Sequence, residues 1–189
     1  MSATNSDSDD TYTAGGWLLL VYRVPSEPTR LRAAVWRRLK SIGAIYLQNS
    51  AAALPASRAA ERAMRKLRSE ILDMSGTATL LSCAVLAGEK EIKAAFLAAR
   101  DDEYAEIVDK CDDFQAQVRK EYVAKHFTYA ELEENEVDLV KLHNWFTKVT
   151  DRDTFGAGGR AAAEQALVGC EQTLEDYAAR VYAEEAESR

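Results

Sequence analysis

The run WLLLVYRV, Trp17 to Val24, narrows the choice of fold more than any other stretch of this chain. It is nearly all apolar and lacks the alternation of a half-wet strand, so it reads as a central strand covered on both faces. Pro25 and Pro28 end it. Ser26 or Thr29 can cap the helix that follows by accepting the free N–H groups of its first turn. That helix, roughly Ser26 to Ile42, shows Leu31, Val35, Leu39 and Ile42 at helical spacing and stops at Gly43. A second apolar segment, Ala44 to Gln48, turns at Asn49-Ser50 into a weaker one, Ala51 to Leu54. A second amphipathic helix, Ser57 to Met74, is expected to bury Ala60, Met64, Leu67, Ile71 and Met74. An apolar strand, Thr77 to Ala87, completes the order β-α-β-β-α-β, the split βαβ or ferredoxin-like unit.

The chain of 189 residues is long enough for this unit and an appendage. Residues 1–15 are short, polar and acidic and predict a disordered tail. Residues 16–88 form the expected ferredoxin-like subdomain, and residues 89–187 a helical one. Lys90–Arg100 is followed by a helix from about Asp101 to Lys125, with Tyr104, Ile107, Cys111, Phe114, Val118 and Tyr122 on one stripe. Leu132, Leu139, Leu142, Phe146 and Val149 mark the next helix, and glycines accumulate in the break at Asp151–Gly159. The last helix, Arg160 to about Glu185, carries Ala163, Leu167, Cys170, Leu174, Tyr177 and Val181 at steps of four and three. The fold class is therefore α+β: a ferredoxin-like sheet with a C-terminal antiparallel three-helix region packed on its free face.

Charge is distributed unevenly. Residues 17–75 hold 11 Lys/Arg against 4 Asp/Glu, although the whole chain has a net charge of −7. Such asymmetry points to an anionic partner for the basic part, or to a basic subdomain complementing an acidic one. In the first helix Arg30, Arg32, Arg37 and Lys40 fall away from the apolar stripe; in the second, Arg58, Arg62, Arg65 and Lys66 do. Both helices of a split βαβ lie on one side of the sheet, so these cations add into a single patch. The residues expected to contact DNA are Arg30, Arg37, Lys40, Arg58, Arg62, Arg65 and Lys66. Arg38 falls within the apolar stripe, where its stem packs and its head snorkels, pairing with a carboxylate being the other reading. Trp36 projects to the flank, where packing under a neighbouring element is favoured over stacking on a base.

Little else in the chain reads as chemistry. His126 and His143 sit beside helix stripes or ends and read as structural. Cys83, Cys111 and Cys170 are scattered in apolar stripes, as reduced core thiols of a cytoplasmic protein would be. Glu131, Glu133, Glu134, Glu136 and Asp138 read as helix N-terminal charge, and Asp151 and Asp153 as turn formers, rather than as metal ligands. The FGAGG stretch lacks the preceding strand and the Lys-Ser/Thr of a phosphate loop. No membrane span, cofactor site or metal site is expected, and the chain is read as a non-enzyme.

The segment around the first strand resembles the ferredoxin-like domain of the PaaX-type repressors and of the small nuclease subunit of CRISPR adaptation. That nuclease places a metal-binding carboxylate at the end of the strand; here the strand ends Tyr22-Arg23-Val24-Pro25, which argues against metal-dependent cleavage. A more specific resemblance runs from Gly16 to Ala183. WLLLVYRVPSEPTRLRAAVWRRLKSIGAIYLQNSAAALP, FTYAELEENEVDLVKLHNWFTKV, DRDTFGAGGRAAAEQAL and AARVY are similar to the N-terminal domain of the ChrB family of chromate-resistance regulators. The resemblance implies a bacterial cytoplasmic regulator of a chromate efflux gene, with this domain contacting DNA. Full-length members continue into a C-terminal domain, so a separate partner supplying it is expected, or else a homodimer. Protein-interaction or oligomerisation modules are the alternative reading. Arg23, at the strand end beside the first helix, is the candidate for binding chromate or sulfate, since guanidinium forks suit tetrahedral dianions.

Overall fold

The computed structural model describes residues 16–187, and the acidic segment 1–15 lies outside the described residues. The chain divides into two compact units that meet between Ala95 and Phe96.

The first unit is organised by β1 (Trp17–Arg23), which pairs antiparallel with both β3 (Ala51–Pro55) and β4 (Thr77–Cys83). The short β2 (Ile45–Gln48) pairs with β3, giving the order β2-β3-β1-β4. Helix α1 (Arg30–Ser41) crosses from β1 to β2, and α2 (Arg58–Asp73) from β3 to β4. Right-handed crossovers of this kind put both helices on the same face of the sheet. They lie side by side, with Arg38 Nε of α1 3.9 Å from Glu70 Oε2 of α2. This is the ferredoxin-like order expected from the sequence.

The core of this unit lies between that face and the helices. Leu18, Leu20, Ala52 and Leu54 of the sheet are buried with Val35 and Leu39 of α1 and Met64, Leu67 and Ile71 of α2. Each large aliphatic side chain so removed from water contributes about 1.5–3 kcal/mol. On the opposite face Trp17, Ala53 and Ile45 are buried, whereas Val21 and Leu81 remain 44% exposed. The two-sided covering expected of β1 therefore holds at its start and fails at its end.

Several boundaries shift for local reasons. β4 stops at Cys83 rather than Ala87, because Cys83 faces Trp17 and β1 offers nothing beyond it. α1 begins at Arg30, after a cis Glu27–Pro28 bond, and Thr29 caps it without a side-chain hydrogen bond. α2 has the expected cap, Ser57 Oγ accepting from Ala60 N at 3.1 Å. Ala60 and Met74, expected in the core, are only half-buried. Arg38 combines both of its readings: its side chain is partly buried and its head faces Glu70. On the open edge of the sheet, Arg68 Nε donates to the Ala78 carbonyl of β4 at 3.1 Å. Between α2 and β4, Gly76 lets backbones meet; a Cβ there would stand 2.5 Å from the Arg23 carbonyl oxygen and 2.8 Å from Ile71 Cγ2.

The second unit holds α3 (Glu89–Ala124) from Phe96 onward, α4 (Tyr129–Arg152) and α5 (Arg160–Glu187). Asn135 of α4 donates to Glu121 of α3 at 2.7 Å, and Arg152 pairs with Glu103, so these helices run antiparallel. Gly159 N donates to Asp101 at 2.7 Å and the Tyr122 and Tyr177 rings meet at 5.7 Å, so α5 runs parallel to α3. The predicted stripes form the core: Tyr104, Ile107, Cys111, Phe114 and Val118 of α3 face Ala163, Leu167, Cys170, Tyr177 and Val181 of α5. Tyr122, Leu142, Phe146 and Leu174 pack at its margin. α3 passes without interruption through Asp101, where a new helix was expected. Aspartate costs a helix only a few tenths of a kcal/mol, and here its side chain is engaged by Gly159.

Burial pushes the Cys111 thiol up to about 12, and the Cys170 thiol is raised by the same cause. At one end of the bundle the Arg100 guanidinium, 3% exposed, lies 2.8 Å from Glu103 and stacks over Phe96 at 4.7 Å. Glu103 is shared with Arg152.

Three outcomes follow. Gly76→Ala should lower stability by about 1–3 kcal/mol, through forced backbone movement, measured as a shift of the denaturant midpoint without a change of slope. Glu103→Gln should cost about 3–5 kcal/mol, because two guanidiniums lose a shared buried carboxylate; unfolding monitored by the far-ultraviolet signal of the helices checks it. With an aromatic disulfide reagent at pH 8, Cys111 and Cys170 should react only as fast as the native protein opens, and half-buried Cys83 ahead of them.

Candidate nucleic-acid interface

Helical geometry sets which basic residues meet. α1 turns Val35 and Leu39 inward, which leaves Arg30, Arg37 and Lys40 on the face away from the sheet. α2 turns Met64, Leu67 and Ile71 inward and leaves Arg58, Arg62 and Lys66 outward. All six are exposed, and the helices adjoin, so the six share one surface. Arg30, Arg37, Arg62 and Lys66 make no ion pair with a carboxylate among the described residues. Lys40 Nζ sits 5.9 Å from the centre of the Trp36 ring.

The seventh expected residue, Arg65, behaves differently. It leans toward the β4 edge and pairs with Glu61 at 2.6 Å, one helical turn back. Its charge is largely answered there. Glu61, Arg65 and Arg68 line a shallow cleft against β4, together with Leu80 and Ser82.

A second concavity opens on the other flank of α1, where the end of β1, the edge strand β2 and the Asn49-Ser50 turn come together. Its volume is about 630 Å³. Arg23 and Arg32 line it together with Tyr22, Trp36 and Tyr46. Arg23 is exposed, as the oxyanion reading needs, and Arg32 joins it. Trp36 is 52% exposed. The packing expected for it fails because its flank faces the edge of the sheet, where, among the described residues, β2 has no further neighbouring strand. The Tyr22 hydroxyl donates to the Tyr46 hydroxyl at 3.3 Å, and burial, then Tyr22, push the Tyr46 phenol up, so the Tyr46 ring stays neutral.

The residues set aside as structural have structural work. Asp153 accepts from Gly156 N at 3.0 Å and Ala157 N at 2.9 Å, which closes the turn before α5. A Cβ at Gly159 would stand 3.0 Å from Tyr104 Cβ, which explains a glycine there without any phosphate. Glu131 lies in the first turn of α4, where Thr128 Oγ1 accepts from its N–H. His143 Nε2 is 3.0 Å from Glu171 on the surface, and the His126 carbonyl accepts from the Tyr177 hydroxyl. Among the described residues no helix is long and apolar enough to cross a membrane.

Tyr22, Arg32 and Tyr46 were not singled out by sequence as a group. Tyr22 and Tyr46 belong to strands that are not neighbours; Tyr46 lies opposite Ala52, which lies opposite Leu20, two residues before Tyr22 on the same face. The available signal was Tyr46 itself, an aromatic beside a tight hairpin turn.

Comparison with known proteins places these features. The chain is 30% identical over 90 residues to Protein ChrB of Cupriavidus metallidurans (strain ATCC 43123 / DSM 2839 / NBRC 102507 / CH34). That alignment covers 48% of this chain and 28% of the relative, so the chain matches less than a third of that protein's length. The family model described as "Protein ChrB, N-terminal" matches residues 32–188, from inside α1 to the end of α5, and leaves Arg23 and Arg30 before its start. The chain belongs to the ChrB N-terminal family.

Proposed function

We propose that this chain is a DNA-binding, non-enzymatic regulator associated with chromate resistance, working in the cytoplasm, and that the outward faces of α1 and α2 hold the DNA backbone. One observation carries the reading: Arg30, Arg37, Lys40, Arg58, Arg62 and Lys66 occupy adjoining faces of two parallel-lying helices in a chain whose net charge is −7. A surface of that sign on an acidic protein is a local arrangement for an anion, and a polyanion can engage several of these cations at once. Family membership supports it, since the matched residues include five of the six.

The chemistry is that of counterion release. Each phosphate neutralised by Lys or Arg frees condensed cations, so affinity falls steeply with salt and depends little on sequence. Base readout is not supplied by these side chains alone, because phosphate contacts position a protein and do not read bases. Arg65 adds little, being held by Glu61.

Binding of the full chain to duplex DNA from its own promoter should give a slope of log K against log salt of about −5, from roughly six phosphate contacts. Arg62→Ala with Lys66→Ala should flatten that slope by about 2, whereas Arg65→Ala should leave it nearly unchanged. Gel shifts or anisotropy across a salt series read both. Absent or salt-independent binding overturns the proposal.

A further inference from the structure

The groove on the β2 side of α1 has a composition that backbone binding does not use. Its rings are Trp36, Tyr22 and Tyr46; its charges are Arg23 and Arg32; the turn residues Asn49 and Ser50 add an amide and a hydroxyl. Among the described residues no carboxylate lines it. Trp36 keeps half of its surface in contact with water, in a region where an apolar ring gains nothing from exposure. The groove is continuous with the basic helix face, since Lys40 of that face sits over the Trp36 ring.

A bare tetrahedral dianion would engage the two guanidiniums and leave three aromatic rings without a purpose. An acidic peptide would engage the cations but brings no planar heterocycle to the exposed face of Trp36. A planar heterocycle joined to a phosphate uses everything present: a π-face for Trp36, hydrogen-bond partners for the two phenols and Asn49, and guanidiniums for the phosphodiester. Unpaired bases stack on aromatic side chains and on guanidinium planes in this manner, whereas bases inside a duplex cannot reach them.

We infer that the groove between α1 and the β2–β3 hairpin binds an unpaired nucleobase of a nucleic-acid strand, stacked on Trp36 with its phosphates held by Arg23 and Arg32. It rests on the proposed DNA function and deepens it: the helix faces grip the backbone, and the groove takes a base from a frayed, bulged or single-stranded position. The base enters by stacking, with no covalent step. The Tyr22 hydroxyl donates to Tyr46 at 3.3 Å, which leaves the Tyr46 hydroxyl to donate to a ligand in the groove.

Tryptophan emission of the full chain provides the test, with single-stranded oligo-dT of about twelve nucleotides as probe, a length within the usual site sizes. Saturable quenching is expected, and Trp36→Phe should remove most of it while Trp17 and Trp145 still emit. Trp36→Ala should weaken single-strand binding by about tenfold or more, the usual effect of losing one stacked base. Arg23→Ala and Arg32→Ala should each weaken it and flatten its salt dependence. Thymidine monophosphate should compete only weakly if a strand is the ligand; a mononucleotide that binds as tightly as the strand overturns that assignment. Quenching by an acidic peptide but not by oligo-dT overturns the inference, as does single-strand binding untouched by Trp36→Ala. Duplex binding with the predicted salt slope but no Trp36-dependent quenching would reject the groove and leave the proposed function standing. Single-strand quenching without any duplex binding would do the reverse.

Discussion

Everything in the first unit depends on β1 being bonded along both edges at once. Its backbone groups are shared between β3 and β4, so neither edge is left open. Because each crossover must clear the strand lying between its ends, α1 and α2 are brought together over the middle of the sheet. Their apolar stripes then make one core with Leu18 and Leu20, and their polar faces make one surface. A β1 placed at an edge would have parted the helices, and with them the cations.

The same stretch of α1 serves three purposes. Val35 and Leu39 close the core, Arg37 and Lys40 face outward, and Arg32 and Trp36 line the groove. Like charges crowded on one face repel, though water and salt screen exposed groups beyond about 8–10 Å. The ion pairs seen here lie on the flanks: Arg38 toward Glu70 between the helices, and Arg65 toward Glu61 near β4. Carboxylates therefore relieve the crowding at the sides, where Arg38 and Arg65 point. In the second unit the logic is reversed. There Glu103 holds Arg100 and Arg152 in a low-dielectric interior, where geometry is fixed at the expense of net stability, as is usual for buried ions.

Sequence made the architecture legible because the apolar runs, the caps and the helix stripes agree with one another. The stripes of α3 and α5 were read almost residue for residue, since seven-residue periodicity survives in long helices. Trp36 was misread because periodicity gives the direction in which a side chain points but not whether anything lies there. The uninterrupted course of α3 was hidden for a related reason. Asp101 carries a local preference against helix, and the hydrogen bond that outweighs it comes from Gly159, 58 positions away. The groove was least visible of all: β3 separates the strands of Tyr22 and Tyr46, and only the pairing of three strands brings together hydroxyls 24 positions apart in sequence.

One contact at the sheet's margin has a wider consequence. Arg68 spends its Nε–H on the Ala78 carbonyl, an acceptor of the outermost strand. A foreign strand approaching β4 would find that acceptor already engaged and a bulky cation standing in its path. Lateral growth by strand addition, the route by which exposed ladders recruit their own kind into fibrils, is thereby discouraged at the cost of a single side chain.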